Sequence, residues 1–181
     1  MAGDFVDLTS VAMSPETEEE LLRTQTECTI MWPTRDGHPI GVIMSYVFHE
    51  GSFWLTSAEN RARVKALRRD PRVAIALTST GSALAPGKGI TYKGTCVIHD
   101  DDARKQWYYK ALADIRYGND PDYHAQYIKS LDTPGRVILE VKPEVTLGSY
   151  DGAKLHGEGR GGNPYAERGY LAIKEMKAEQ G

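Results

Sequence analysis

Short runs of apolar and β-branched residues, separated by turn formers, dominate the first half of the chain. Thr26–Trp32 is β-branched and aromatic and is closed by Pro33, so it reads as a strand. Asp36-Gly37 is a turn signal, and Ile40–Phe48 follows as a strand apolar on both faces, broken by Ser45. His49-Glu50-Gly51 turns again into a strand over Ser52–Thr56. Strands joined by such short turns pair antiparallel. After Glu59 the period lengthens. Val64, Ala66 and Leu67 form a stripe surrounded by Arg61, Arg63, Lys65, Arg68 and Arg69, which predicts a short amphipathic helix over Glu59–Arg69, stopped by Asp70-Pro71. Arg72–Ser79, Ile90–His99 and Arg136–Pro143 return to the strand pattern, with a Gly- and Pro-rich loop over Thr80–Gly89.

Helices are predicted at the margins. Ser14-Pro15-Glu16 is a capped start running to about Arg23, with Glu16, Glu18 and Glu19 at the positive end of the helix dipole. Asp100-Asp101-Asp102 opens a helix to about Arg116, and Asn119-Asp120-Pro121 opens another to about Leu131. Gly148–Asn163 is glycine-rich and partly open, and Pro164–Glu179 reads as a terminal helix. The expected architecture is mainly β (α+β): six antiparallel strands in a closed or nearly closed small barrel with peripheral helices. One domain spans 1–181, with a core over 26–147, a helical insertion over 100–131 and a tail over 148–181.

Composition narrows the functional classes. The 181 residues carry 22 Lys+Arg against 25 Asp+Glu, a net charge of −3, which argues against a general nucleic-acid binder. Any anion site must therefore be a local cluster. Cys28 and Cys96 belong to no CxxC pair and no zinc spacing, and read as reduced strand residues of a cytoplasmic protein. No window has the length of a membrane span, and Met1–Ser10 lacks the basic region of a signal peptide. His38, His49, His99, His124 and His156 are scattered over turns and strand ends, and no metal is assigned.

The segment Thr56–Pro71 stands out. A strand end supplies two hydroxyls, a short connection follows, and a helix begins, where orphan backbone N–H groups and the dipole favour an anion. Arg61, Arg63 and Lys65 alternate by two, so on a regular helix they would not share a face. In an extended approach to the helix, Arg61 and Arg63 could converge on one phosphate, which suits their bidentate geometry. The competing reading is a solvated basic face. Trp107, Tyr108 and Tyr109, and likewise Tyr117, Tyr123 and Tyr127, read as helix packing in preference to a substrate pocket, and Trp54 as barrel core.

From Asp36 to His99 the order Asp-Gly-His-Pro, apolar strand, Glu-Gly, strand ending Thr-Ser, then Arg-Ala-Arg-x-Lys-x-Leu-Arg-Arg-Asp-Pro-Arg resembles the pyridoxamine 5'-phosphate oxidase-like split β-barrels. The resemblance is greatest to their flavin/deazaflavin-dependent oxidoreductase branch. Pro134-Gly135-Arg136-Val137 followed by Val141-Lys142-Pro143 is similar to the last barrel strand of that family. The resemblance implies a homodimeric oxidoreductase with a flavin-type cofactor at the subunit interface and hydride transfer to or from a small conjugated or apolar substrate. It implies Thr56, Ser57, Arg61, Arg63 and Lys65 as the phosphate grip. It sets Ile43, Met44 and Ser45 along the cofactor ring, and offers Lys88 from the second chain. The cofactor that the resemblance implies is the deazaflavin coenzyme F(420) or, as the alternative, FMN. An acidic tail on the former could draw on Arg61, Arg68, Arg72, Lys88 and Lys93. No catalytic acid or base is assigned, because the cofactor carries the chemistry. Val42 stands where true pyridoxamine-phosphate oxidases have an Arg, and their C-terminal Trp…Arg-Leu-His signature is not found, so vitamin B6 oxidation is not expected. A non-catalytic carrier of the cofactor or of haem is the alternative of another class.

Overall fold

A computed structural model describes residues 9–157. The terminal helix expected over Pro164–Glu179, and Arg160, lie outside the described residues. In chain order the elements are α1 (Pro15–Thr24), β1 (Glu27–Pro33), β2 (Pro39–Ser45), β3 (Val47–His49), β4 (Ser52–Ala58), α2 (Ala62–Arg69), β5 (Arg72–Thr78), β6 (Lys88–His99), α3 (Asp102–Tyr117), α4 (Pro121–Leu131), β7 (Arg136–Asp151) and α5 (Gly152–Gly157). They fall into two compact units, one over the described parts of Met1–Gln25, Leu77–Thr91 and Leu147–Gly181, the other over Thr26–Ala76 and Tyr92–Thr146.

The larger unit is built on a seven-stranded sheet in the order β2-β1-β5-β6-β7-β4-β3. The pairs β1–β2, β1–β5, β3–β4 and β4–β7 are antiparallel. Seven strands replace the expected six because the run Ile40–Phe48 is divided at Tyr46. Its first half pairs with β1 and its second half with β4, at opposite ends of the sheet order. The two ends of the sheet are thus joined through one residue, and the sheet curls back on itself. Tyr46 is buried at the joint, edge-on to Phe53 at 5.3 Å, and its N–H donates to Thr26 O. The β3–β4 turn is made by Glu50 and Gly51, both at positive φ (48° and 75°), the pair of left-handed residues that a tight hairpin requires.

Strict alternation along β1, β4 and β5 buries one face: Cys28, Ile30 and Trp32; Phe53, Leu55 and Ser57; Val73, Ile75 and Leu77. On the opposite face of β3, β4 and β7, the α3–α4 hairpin buries Tyr108, Tyr109, Leu112 and Leu131 with Val47 and Ile138, and Trp54 and Trp107 pack at its margin. Tyr108 and Tyr109 are therefore packing residues, as expected. Tyr123 is not: it is 60% exposed and stacks on Tyr117 along the hairpin. The helices start as the sequence indicates. Asp101 accepts from Arg104 N and Asp120 from Tyr123 N, with Pro121 in the first turn of α4.

Two boundaries differ from expectation. Glu59 and Asn60 form a turn and α2 begins at Ala62, because Glu59 N donates to Gly135 O and Arg61 stays extended (φ −68°, ψ 143°). β7 continues past Pro143 to Asp151. Pro143 lies beyond the stretch paired to β4, Arg136–Val141, so its missing N–H breaks no bond of that ladder.

The smaller unit ties its segments by backbone bonds. Asp151 N donates to Val11 O, Gly152 N to Gly87 O and Ser79 N to Lys88 O. Ser14 caps α1 through Thr17 N, and Gln25 Nε2 donates to Thr80 O at 3.0 Å. Among the described residues no helix is long and apolar enough to cross a membrane.

Candidate functional site

The strand register places the candidate residues of β2 and β4. Val47 is opposite Trp54, so continuing that ladder would set Ser45 opposite Thr56; instead Ser45 pairs with Glu27 on β1. From Tyr46 onward β2 therefore parts from β4. Beyond the parting, β2 pairs only with β1, and β4 keeps β7 on its other side. Ile43, Met44 and Ser45 lie on β2, and Thr56 and Ser57 at the end of β4. Ile43, on a strand apolar on both faces, is 71% exposed. Ser45 is held from α3: Tyr108 Oη donates to its carbonyl at 3.5 Å, and Arg116 Nη2 donates to its Oγ while lying 3.5 Å from Glu27.

At the end of β4 the two hydroxyls separate. Neighbouring strand residues point to opposite faces, so Thr56 and Ser57 cannot present both side chains to one group. Thr56 Oγ1 donates to Val137 O (3.0 Å). Ser57 Oγ donates to Ala58 O and accepts from Arg63 Nη1, each at 3.3 Å. The following helix has no side-chain cap at Arg61 and no acidic residue in its first turn, which leaves its leading N–H groups open.

The basic residues divide by partner. Arg68 is 2.6 Å from Glu59, Arg72 is 2.6 Å from Asp70, and Arg69 donates to Pro33 O. Asp70 is drawn down to about 2, chiefly by the hydrogen bonds of Arg72. Arg61, Arg63 and Lys65 have no carboxylate within ion-pair distance among the described residues. The Arg63 pKa is lowered, first by burial and then by the charge of Arg61, so two unneutralised guanidiniums stand near each other. Lys88 belongs to the smaller unit, where Asp151 holds its ammonium at 3.0 Å. Lys93 is exposed on β6.

The sequence profile of the pyridoxamine 5'-phosphate oxidase family matches residues 14–149. The chain belongs to this family. Among solved structures it is similar to a conserved hypothetical protein from Mycobacterium tuberculosis, with 20% identity over 88% of this chain and 99% of that one, and a TM-score of 0.70. An F(420) reductase is similar at 17% identity over 74% and 98% of the two chains, with a TM-score of 0.51. The haem storage protein of Vibrio cholerae is similar at 12% identity over 76% and 95%, with a TM-score of 0.55. No curated protein matches in sequence. These likenesses establish the fold, a split β-barrel of the pyridoxamine 5'-phosphate oxidase family.

Within this fold the structure adds residues that sequence reasoning passed over. Arg116 was read as a helix end, yet it reaches Ser45 across 71 positions. Arg136 was read as a strand start, yet it is the cross-strand partner of Ala58, and its Nε is buried without a hydrogen bond. The only local signal is the basic residue after Pro134-Gly135. Tyr108, a packing residue, also donates to Ser45 O on β2.

Proposed function

We propose that this protein is a flavin-type oxidoreductase whose cofactor lies along β2 and reaches the strand end of β4. The observation that carries this reading is the division of the basic residues: among the described residues Arg61, Arg63 and Lys65 lack carboxylate partners at an uncapped helix start, while their neighbours Arg68, Arg69 and Arg72 are already engaged. An anion there accepts from open N–H groups and relieves the Arg61–Arg63 repulsion. A cofactor phosphate fits this donor set.

When bound, the cofactor supplies hydride transfer. The protein binds the phosphate through Arg61, Arg63 and Lys65, with the N–H groups at the start of α2. Thr56 and Ser57 shape the strand end and, through Ser57 Oγ, aim Arg63. The backbone of Ile43, Met44 and Ser45, unpaired on its outer edge, can bond the polar edge of a ring lying along β2. Arg116 and Tyr108 hold that strand in place. Ile40 (45% exposed) and Ile43 (71%) leave apolar surface on this edge, which a second copy of the chain would cover in a homodimer. The preferred cofactor is the deazaflavin coenzyme F(420), with FMN as the alternative, and the substrate is a small conjugated or apolar molecule. Pyridoxamine-phosphate oxidation is not proposed, since Val42 replaces an Arg on β2. Titration of the purified protein with both cofactors, followed by a reduction assay on enones or quinones, tests the reading. Binding without turnover would make the protein a carrier, and binding of neither cofactor would refute it.

A further inference from the structure

The α3–α4 hairpin carries a small open cavity of about 240 Å³, lined by Tyr117, Tyr123, Gln126, Tyr127 and Ser130. The four residues from α4 are spaced i, i+3, i+4 and i+7, so they share one face of that helix. Tyr117 ends α3 and joins them across the turn at Gly118 and Asn119. The three rings hold one another. Tyr117 and Tyr123 stack at 5.8 Å with 26° between their planes, and Tyr127 meets Tyr117 edge-on at 5.0 Å. Tyr127 also packs against the core cluster under the hairpin, which anchors the set. Tyr123 stays 60% exposed, so its stack on Tyr117 leaves most of its surface open.

Polar atoms complete the lining. Among the described residues no partner meets the hydroxyl of Tyr117, Tyr123 or Tyr127, or the side-chain amide of Gln126. The Ser130 hydroxyl already donates to Tyr127 O at 2.7 Å. Burial raises the pKa of the Tyr127 phenol, which stays protonated and able to donate. No charged side chain lines the cavity. An ion would lose water there without gaining a counter-charge, so the lining favours a neutral guest. Aromatic rings take partners in offset stacks or edge-on at about 4.5–7 Å, which suits a flat guest beside a set of rings already in place. The volume lies below the roughly 300–1,000 Å³ of pockets for drug-sized ligands, which limits the guest to one ring or two fused rings.

We propose that this cavity binds a small, neutral, flat ring compound with oxygen acceptors on its edge, stacked against the tyrosines and hydrogen-bonded by their hydroxyls and by the Gln126 amide. The site shares no residue with the proposed cofactor site and does not rest on that reading.

Coumarin, a neutral flat lactone of two fused rings, is the probe. It is titrated into isotope-labelled full-length protein while the backbone amide signals are followed by NMR. Decalone, of similar size but puckered, and tetramethylammonium, a cation suited to aromatic faces, are the comparison ligands. The coumarin shifts should centre on Tyr117–Leu131, and both comparison ligands should bind more weakly. Tyr123→Ala should weaken coumarin about fivefold or more, and Gln126→Ala about threefold. Lys129→Ala, an exposed change on α4 outside the lining, should bind as wild type does. Tyr123 and Gln126 are exposed, so thermal melts of their variants should match wild type. Should Tyr123→Ala not fold, Gln126→Ala and the ligand comparison decide. Absence of binding, shifts centred elsewhere or spread evenly over the chain, or unchanged affinity in both cavity variants overturns the proposal. Decalone or tetramethylammonium binding as tightly as coumarin does so too. Failure to bind either flavin-type cofactor refutes the cofactor reading and leaves this site standing.

Discussion

Replacing Arg63 by Ala removes the half-buried guanidinium at the end of β4. In the free protein this costs one 3.3 Å hydrogen bond to Ser57 Oγ, which keeps its bond to Ala58 O. It also removes the repulsion from Arg61. A hydrogen bond from a charged donor contributes about 1.5–3 kcal/mol, and the relieved repulsion offsets part of that, so the stability of the free protein should fall by less than about 2 kcal/mol. In the bound protein the loss is a charge-assisted contact to phosphate, about 1.5–3 kcal/mol, which corresponds to roughly 10- to 150-fold in affinity. Arg69→Ala, which gives up only a bond to Pro33 O, is the control and should bind as wild type does. Calorimetric titration with each cofactor at two salt concentrations provides the readout, with urea melts of the free proteins alongside. Salt should weaken wild-type binding more than it weakens binding by Arg63→Ala. Affinity of Arg63→Ala within threefold of wild type, or an equal loss in both variants, would refute the reasoning that leads from unpaired charge to phosphate site.

Other perturbations probe the frame. Burial raises the Glu140 pKa, but the hydrogen bond from His99, the charges of Lys142 and His99, and the Ser52 hydroxyl bring it below its ordinary 4.5. Its stabilising contribution is therefore complete above that value and is lost as pH falls through the lower folded one; urea midpoints should drop on acidification below about pH 5, with a shallower drop in Glu140→Gln. Gly94→Ala would drive a Cβ into Lys142 O, a backbone atom, so β6 and β7 must separate; a loss of about 1–3 kcal/mol or more is expected in thermal unfolding. Burial pushes the Cys28 and Cys96 thiols up to about 12, so neither should react with a thiol reagent at pH 8 until urea unfolds the protein.

Much of the frame was legible because local signals mark it. Asp36-Gly37, Glu50-Gly51 and Asp70-Pro71 bound strands and α2, and Ser14, Asp101 and Asp120 announce helices by capping. The break at Tyr46 was not legible, since Ile40–Phe48 is one apolar run and only tertiary pairing assigns its halves to different neighbours. Pro143 and Gly148 suggested an early end to β7 that pairing overrode. In the site, the sequence singled out the basic string but could not sort it. Whether Arg68 or Arg63 is neutralised depends on where Glu59 and Ser57 come to lie. Arg116 and Arg136 were invisible because their relevance comes from strands far away in sequence.

The single-residue joint at Tyr46 also bears on how the chain folds. β1–β2 and β3–β4 form two local hairpins with turns of a few residues, so their contacts form at small entropic cost. With Tyr46 linking the outermost strands, the seam between them is closed by covalent connection before most of the sheet exists. The slow contact is the arrival of β7 on β4, where Thr56 meets Ile138 across 82 positions. Folding rate should depend chiefly on that late pairing, in line with the dependence of folding speed on sequence separation. The strand end that leads into the proposed phosphate site, Thr56 and Ser57, is then fixed against Ile138 and Val137 only in this last step.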